Sequence, residues 1–188
     1  MSALVPALET PRLRLRALTR RDFEAEAAWF ARPGSARNGG PKPREAVWRV
    51  VAAMIGHWTL EGVGFWAVER SDTRAYCGRV GVWSPEGWPE PELGWTFTDG
   101  ADDLAGAEAE AILAARDWAW RERALGPLAS LIRPSDGRAR RLAAAVGARM
   151  ERSVKLPEAG LVEIDRHALP GEALRPSLHA THPGEGRA

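Results

Sequence analysis

Residues Glu92 to Ala111 set a strand, a tight acidic loop and an Ala-rich helix in immediate succession. A helix start aimed by a strand leaves its first amides without intrahelical partners, at the positive end of the helix dipole, and such a frame cradles anions such as a pyrophosphate. The loop itself carries Asp99, Asp102 and Asp103. Frame and contents oppose each other. Asp103 suits an N-cap, and its carboxylate can take the amides of Ala105 or Gly106, the donors a pyrophosphate would use. Two like charges ~4 Å apart repel by about 1 kcal/mol in water-like surroundings and by about 4 kcal/mol at an effective dielectric near 20. An acid facing the site therefore costs tens to hundreds of fold in ligand affinity, and one turned to solvent costs far less.

Charge narrows the partners. The 188 residues carry 26 basic and 25 acidic side chains, so no excess field favours nucleic acid or an anionic membrane, and neither is expected as a partner. The single cysteine, Cys77, excludes an internal disulfide and reads as a buried, inert thiol in a strand-like run. Neither a signal-peptide pattern nor an apolar run near the ~20 residues of a membrane span is present, so a cytoplasmic location is expected. His57, His167, His179 and His182 show no metal-ligand spacing, and no metal is expected.

Periodicity gives the order of elements. Arg12 to Arg16 alternates as a half-buried strand, and Thr19 with Asp22 has the spacing of a helix start, with Phe23, Ala27 and Phe30 on one face up to a stop near Pro33-Gly34. Val47, Val50, Val51, Met54 and Trp58 mark a second amphipathic helix ending at Leu60. Phe65 to Glu69 and Tyr76 to Trp83 form an antiparallel hairpin, followed by a Pro- and Trp-rich loop and a strand from Glu92 to Thr98. A helix is predicted from Leu104 to Arg123, a strand from Leu128 to Ile132, a helix opened by Pro134-Ser135-Asp136 and closed by Gly147, then strands Arg149 to Leu156 and Leu161 to Arg166. Residues 1–169 read as one domain, and residues 170–188, which lose apolar periodicity, read as a mobile tail.

This order describes an α+β domain with one mostly antiparallel central sheet flanked by helices. With Leu8-Glu9-Thr10-Pro11-Arg12, Phe65-Trp66-Ala67-Val68, Gly78-Arg79-Val80-Gly81, Glu92-Leu93-Gly94-Trp95-Thr96 and Ile132-Arg133-Pro134-Ser135-Asp136 in their places, it resembles the GNAT superfamily of acyl-CoA-dependent N-acetyltransferases, in particular the branch similar to ribosomal-protein N-terminal acetyltransferases. The resemblance implies acetyl-CoA as co-substrate, a primary amine of a small molecule or a protein N-terminus as acceptor, and a homodimer as an allowed assembly. The family's phosphate loop is departed from. Counting from the strand places Asp103 and Ala105 at its two glycine positions; counting back from Glu110-Ala111 places Leu104 and Gly106 there, with one residue inserted.

The resemblance also assigns roles. Thr96, Phe97 and Thr98 on the strand and Leu104, Ala105, Gly106 and Ala107 at the helix start would bind the coenzyme, with Asp136, Arg138 and Arg141 near its phosphates. Glu92 is either the base that deprotonates the amine or a solvated carboxylate at the start of a strand. The last helix of this branch begins with an Asn-x-x-Ser pattern whose serine protonates the leaving thiolate; here those positions read Asp136 and Ala139, which leaves Ser135 as the substitute acid or as a helix cap. Among nine tryptophans, Trp29, Trp58 and Trp88 fall where the family borders its acceptor groove, whereas Trp66, Trp83, Trp95 and Trp118 fall in core runs. Tyr76 and His57 read as packing residues. The alternative to an enzyme is a catalytically silent protein of the same fold that binds a ligand or partner in the cleft.

Overall fold

The computed structural model describes residues 5–98, 106–156 and 160–169. Along the chain run β1 (Leu8–Glu9), β2 (Leu13–Ala17), a 3-10 turn (Arg20–Asp22), α1 (Phe23–Phe30), a second 3-10 segment (Pro33–Asn38), α2 (Arg44–Glu61), β3 (Phe65–Arg70), β4 (Tyr76–Trp83) and β5 (Glu92–Phe97). They are followed by α3 (Ala107–Arg123), β6 (Ala129–Ile132), α4 (Gly137–Ala145), β7 (Arg149–Leu156) and β8 (Gly160–Arg166). The α+β architecture is as expected. One eight-stranded sheet takes the order β1-β2-β3-β4-β5-β6-β8-β7, antiparallel except between β5 and β6.

Local chemistry explains the boundaries. Thr19 and Asp22 close a reciprocal capping box, so the first turn is 3-10 before α1 begins. The helix stops at Phe30, short of the predicted Pro33-Gly34, because Pro33 starts the second 3-10 segment. α3 starts at Ala107, with Gly106 in a left-handed conformation at its N-cap, three residues later than the predicted Leu104. Leu104 and Ala105, the acidic residues Asp99, Asp102 and Asp103, and the tail 170–188 lie outside the described residues.

Two layers of helices cover the sheet. Ala107, Ala111, Ile112, Ala115 and Ala119 of α3 lie in the main core with Leu13, Leu15, Val68, Val80, Val82 and Leu93, all fully buried. Small alanines let this helix approach the strands closely. On the other face, Met54 of α2 packs with Leu18, Phe65 and Ala67, and Trp83 joins them. At Gly78 (φ +133°) any added Cβ would sit 2.1 Å from the Thr96 carbonyl oxygen, so only glycine lets β4 and β5 close up there. Among the described residues no helix is long and apolar enough to cross a membrane.

Candidate functional site

β5 and β6 meet in the ladder at one pair, Glu92 with Ala129. Past that vertex the two strands part, and among the described residues the β6-facing edge of β5 from Gly94 to Phe97 has no ladder partner. A cavity of about 330 Å³ occupies the parting, lined by Glu92, Gly94, Trp95, Thr96 and Phe97 of β5 and by Ser130, Leu131 and Ile132 of β6. The slot reaches both faces of the sheet. Glu92, Gly94 and Thr96 are paired across β4 with Trp83, Gly81 and Arg79, so they share the α2-side face, where Asn38, Met54, Phe65 and Trp88 also line the space. On the α3 and α4 side the lining is Glu108, Asp136, Arg138, Ala139 and Leu142.

The vertex is held by side chains. The Ser130 hydroxyl donates to the Leu93 carbonyl oxygen (2.6 Å), which uses its one proton, so the 2.8 Å contact to His167 is a donation from His167 Nε2–H. His167 is 1 % exposed, and its burial, with Arg116 and Arg166 nearby, lowers its pKa to about 4. It is therefore neutral at physiological pH. Neither Ser130 nor His167 was singled out in the sequence; Ser130 sits in an ordinary strand run, and His167 comes near it only when β8 is inserted beside β6.

Glu92 stands at the vertex and lines the slot. Its Oε2 accepts from the Trp88 indole N–H at 3.0 Å, and the Leu131 backbone N–H also donates to the carboxylate. Oε1 lies over Gly94, 3.6 Å from where a Cβ would stand. Burial pushes the Glu92 pKa up to about 7 against the lowering effect of those two donors. A carboxylate with that value exchanges its proton readily near neutral pH, as a general base must.

A raised carboxyl pKa also has a sign for stability. The folded protein holds the Glu92 proton more tightly than the unfolded chain does, so stability falls as pH rises between about 4.5 and 7. After discounting for the solvent that still reaches this half-buried residue, the charged form costs the fold about 1–3 kcal/mol. Glu92→Gln is accordingly expected to be more stable than the parent near pH 8 and equal to it near pH 4, as read from urea denaturation at the two pH values. A constant difference across that range would show that Glu92 does not titrate in this window.

The other assigned residues divide. Thr96 and Phe97 line the slot, as do Asp136 and Arg138; Asp136 caps α4 by accepting from the Ala139 amide (2.9 Å), and Arg138 is paired to Glu108 (2.7 Å). Thr98 follows the strand, its N–H donating to the Cys77 carbonyl. Gly106 and Ala107 mark the start of α3, where Glu110 is held by Arg12 (2.7 Å) and Thr10 (3.0 Å). Arg141 and Ser135 are exposed and are not among the residues that line the slot.

The tryptophans divide between slot and core. Trp88 lines the slot. Trp29 is buried between α1 and α2, and Trp58 is buried with its indole N–H on the Phe65 carbonyl oxygen and its ring edge-on to Trp66 and Trp118. Neither reaches the slot; Trp83, assigned to the core, does. His57 is a packing residue, with Nδ1 at 2.7 Å from the Val63 carbonyl oxygen, Nε2 accepting from Ser84 N–H and the ring stacked on Trp83.

Beneath the α2-side wall lies a polar cluster that the sequence did not disclose. Arg79, 6 % exposed, forms an ion pair with the fully buried Glu26, whose other oxygen accepts from the Tyr76 hydroxyl. The Arg79 guanidinium lies over the rings of Phe30 (5.5 Å) and Phe65 (5.7 Å). Burial, then the charge of Glu26, pushes the Tyr76 phenol well above its ordinary pKa. Tyr76 is thus more than packing.

Comparison with known proteins places this geometry. A family model described as "Acetyltransferase (GNAT) domain" matches residues 12–149. Among solved structures, an acetyltransferase from Agrobacterium tumefaciens is 29% identical, with 87% of this chain and 95% of that one covered at a TM-score of 0.80. A ribosomal-protein-S5-alanine acetyltransferase from Vibrio fischeri is 13% identical (91% and 100% covered, TM-score 0.65). A ribosomal L7/L12 alpha-N-protein acetyltransferase in complex with coenzyme A is 12% identical (89% and 100% covered, TM-score 0.70). At such identities the last two show likeness of fold alone. A search of curated proteins finds no significant match.

Proposed function

The chain belongs to the GNAT acetyltransferase family, and from that premise we propose that it transfers the acetyl group of acetyl-CoA to a primary amine of a small molecule or a protein N-terminus. The observation that carries this reading is Glu92, a carboxylate with a pKa of about 7 at the mouth of a slot bordered by an unpaired strand edge. The slot suits the amide-bearing arm of the coenzyme. An unladdered β5 edge offers main-chain donors and acceptors to an amide-bearing arm, and Thr96 and Phe97 would lie along it, with Asp136 and Arg138 toward the α3 and α4 side. Gly106 and Ala107 would meet the phosphates at the start of α3.

When bound, acetyl-CoA would supply the activated acyl group: its C–S bond breaks as the new C–N bond forms, and the CoA thiolate leaves and takes its proton from solvent. The protein's work is to make the amine nucleophilic. Free α-amines titrate near 7.7 to 8.0 and lysines near 10.4, so at neutral pH most acceptor molecules arrive protonated. Glu92 Oε1 takes that proton, while Trp88 N–H fixes Oε2 and so the direction of the carboxylate. Amides on the free edge of β5 oppose the charge that develops on the thioester oxygen. The catalytically silent alternative has less to support it, because a merely structural carboxylate gains nothing from being held partly protonated beside a slot.

Coenzyme binding is the direct test. Acetyl-CoA at about 100 times its Kd is expected to add about 2.7 kcal/mol, which for a chain of this size raises the melting temperature by about 5–10 °C. No shift at millimolar acetyl-CoA or free CoA would overturn the transferase reading.

A further inference from the structure

The α2-side half of the slot differs in chemistry from the half beside α3 and α4. Its walls are Met54, Phe65, Trp83 and Trp88, apolar side chains carried by α2, β3, β4 and the loop before β5. Its charges are few. Arg79 is neutralised by Glu26, and Arg133 brings its guanidinium to 3.7 Å from the Cβ position of Gly39, next to Asn38. Among the described residues Glu92 is the only carboxylate lining this half. That one acid suits one ammonium group, and among the described residues of this half no second carboxylate meets a further one.

Resting on the transferase reading, the geometry points to an acceptor that carries a single primary amine on an apolar or aromatic body, and away from polyamines and aminoglycosides. The amine would sit at Glu92 Oε1 above Gly94, where the absence of a side chain leaves room; a Cβ there would stand 3.0 Å from the Phe65 ring. The body would lie against Trp83 and Trp88, where aromatic surface is buried with the offset or edge-on contacts that rings favour. A polyamine would place its further ammonium groups against this apolar wall, where the described residues offer no second carboxylate to receive them.

The test is steady-state acetylation of phenylethylamine and of spermidine by the intact protein. Phenylethylamine is expected to have a kcat/KM at least about tenfold higher, the discrimination that one well-buried ring and one unpaired charge supply. Spermidine as good as phenylethylamine, or better, overturns the inference and leaves the transferase reading intact. Acetylation of neither overturns the inference as well, and the acetyl-CoA melting shift then decides whether the transferase reading falls with it. Trp83→Gln separates a wall from a merely structural ring. It is expected to raise KM for phenylethylamine about tenfold with kcat within about twofold, whereas a fall in kcat at unchanged KM would remove Trp83 from the acceptor wall.

Discussion

Replacing Glu92 by glutamine is expected to lower kcat by about 10²–10³-fold, within the usual range for loss of a positioned general base. Glutamine keeps the size of the side chain and can still meet the Trp88 indole through its amide oxygen, so the slot keeps its shape and the affinity for acetyl-CoA should change by less than about threefold. The pH profile provides the sharper reading. In the parent, kcat/KM should rise with pH through about 7 as Glu92 loses its proton. In the variant that limb should vanish, leaving only the rise that belongs to the amine itself, and the gap between the two proteins should narrow as pH passes the amine's own pKa. Turnover within about threefold of the parent would remove Glu92 from the mechanism. Together with the expected gain in stability near pH 8, the result would mean that the site holds a charge which favours catalysis at the expense of folding.

Removing Arg79 is expected to have the largest effect on stability. Arg79→Met preserves length and apolar contact with Phe30 and Phe65, yet leaves Glu26 fully buried with, among the described residues, the Tyr76 hydroxyl alone to stabilise its charge. Breaking a buried pair from one side typically costs about 3–5 kcal/mol, because the remaining charge has lost its solvent and its partner. Urea denaturation should show that loss, and the double variant Arg79→Met with Glu26→Leu should recover most of it, since replacing both members of such a pair by apolar groups is often close to neutral. If the double variant is as unstable as the single one, the cluster contributes through packing and not through charge compensation. The cluster also matters for the slot, because Arg79 stands opposite Thr96 in the ladder and lines the α2-side wall.

What could be read in advance follows from how local each signal is. The hairpin β3–β4, the helix α2 and the final strands declare themselves through period and turn residues, and the structure places them within a residue or two of the expected bounds. Glu92 was named through the resemblance, as the glutamate of the Glu-Leu-Gly-Trp stretch, and the structure puts that residue on the slot. The start of α3 was misplaced because Asp103 and Gly106 both suit a helix N-terminus, and only the backbone distinguishes them. Trp29 and Trp58 were assigned to the groove because helical spacing tells which residues share a face but not which faces a cavity. Glu26 and Arg79 lie 53 residues apart, and Ser130 and His167 lie 37 apart. Neither separation is periodic, so these contacts exist only once the sheet has been assembled.

The parted strands have a consequence for how such a protein can diversify. One wall of the opening is built from α2, β3, β4 and the loop ahead of β5, the other from α3, α4 and the strand edge, and few side chains belong to both. Substitutions can accumulate on the first wall, altering which molecules are accepted, while the second stays matched to its constant guest. On the proposed reading, two separate walls would let one architecture serve many acceptors without relearning how to hold its donor.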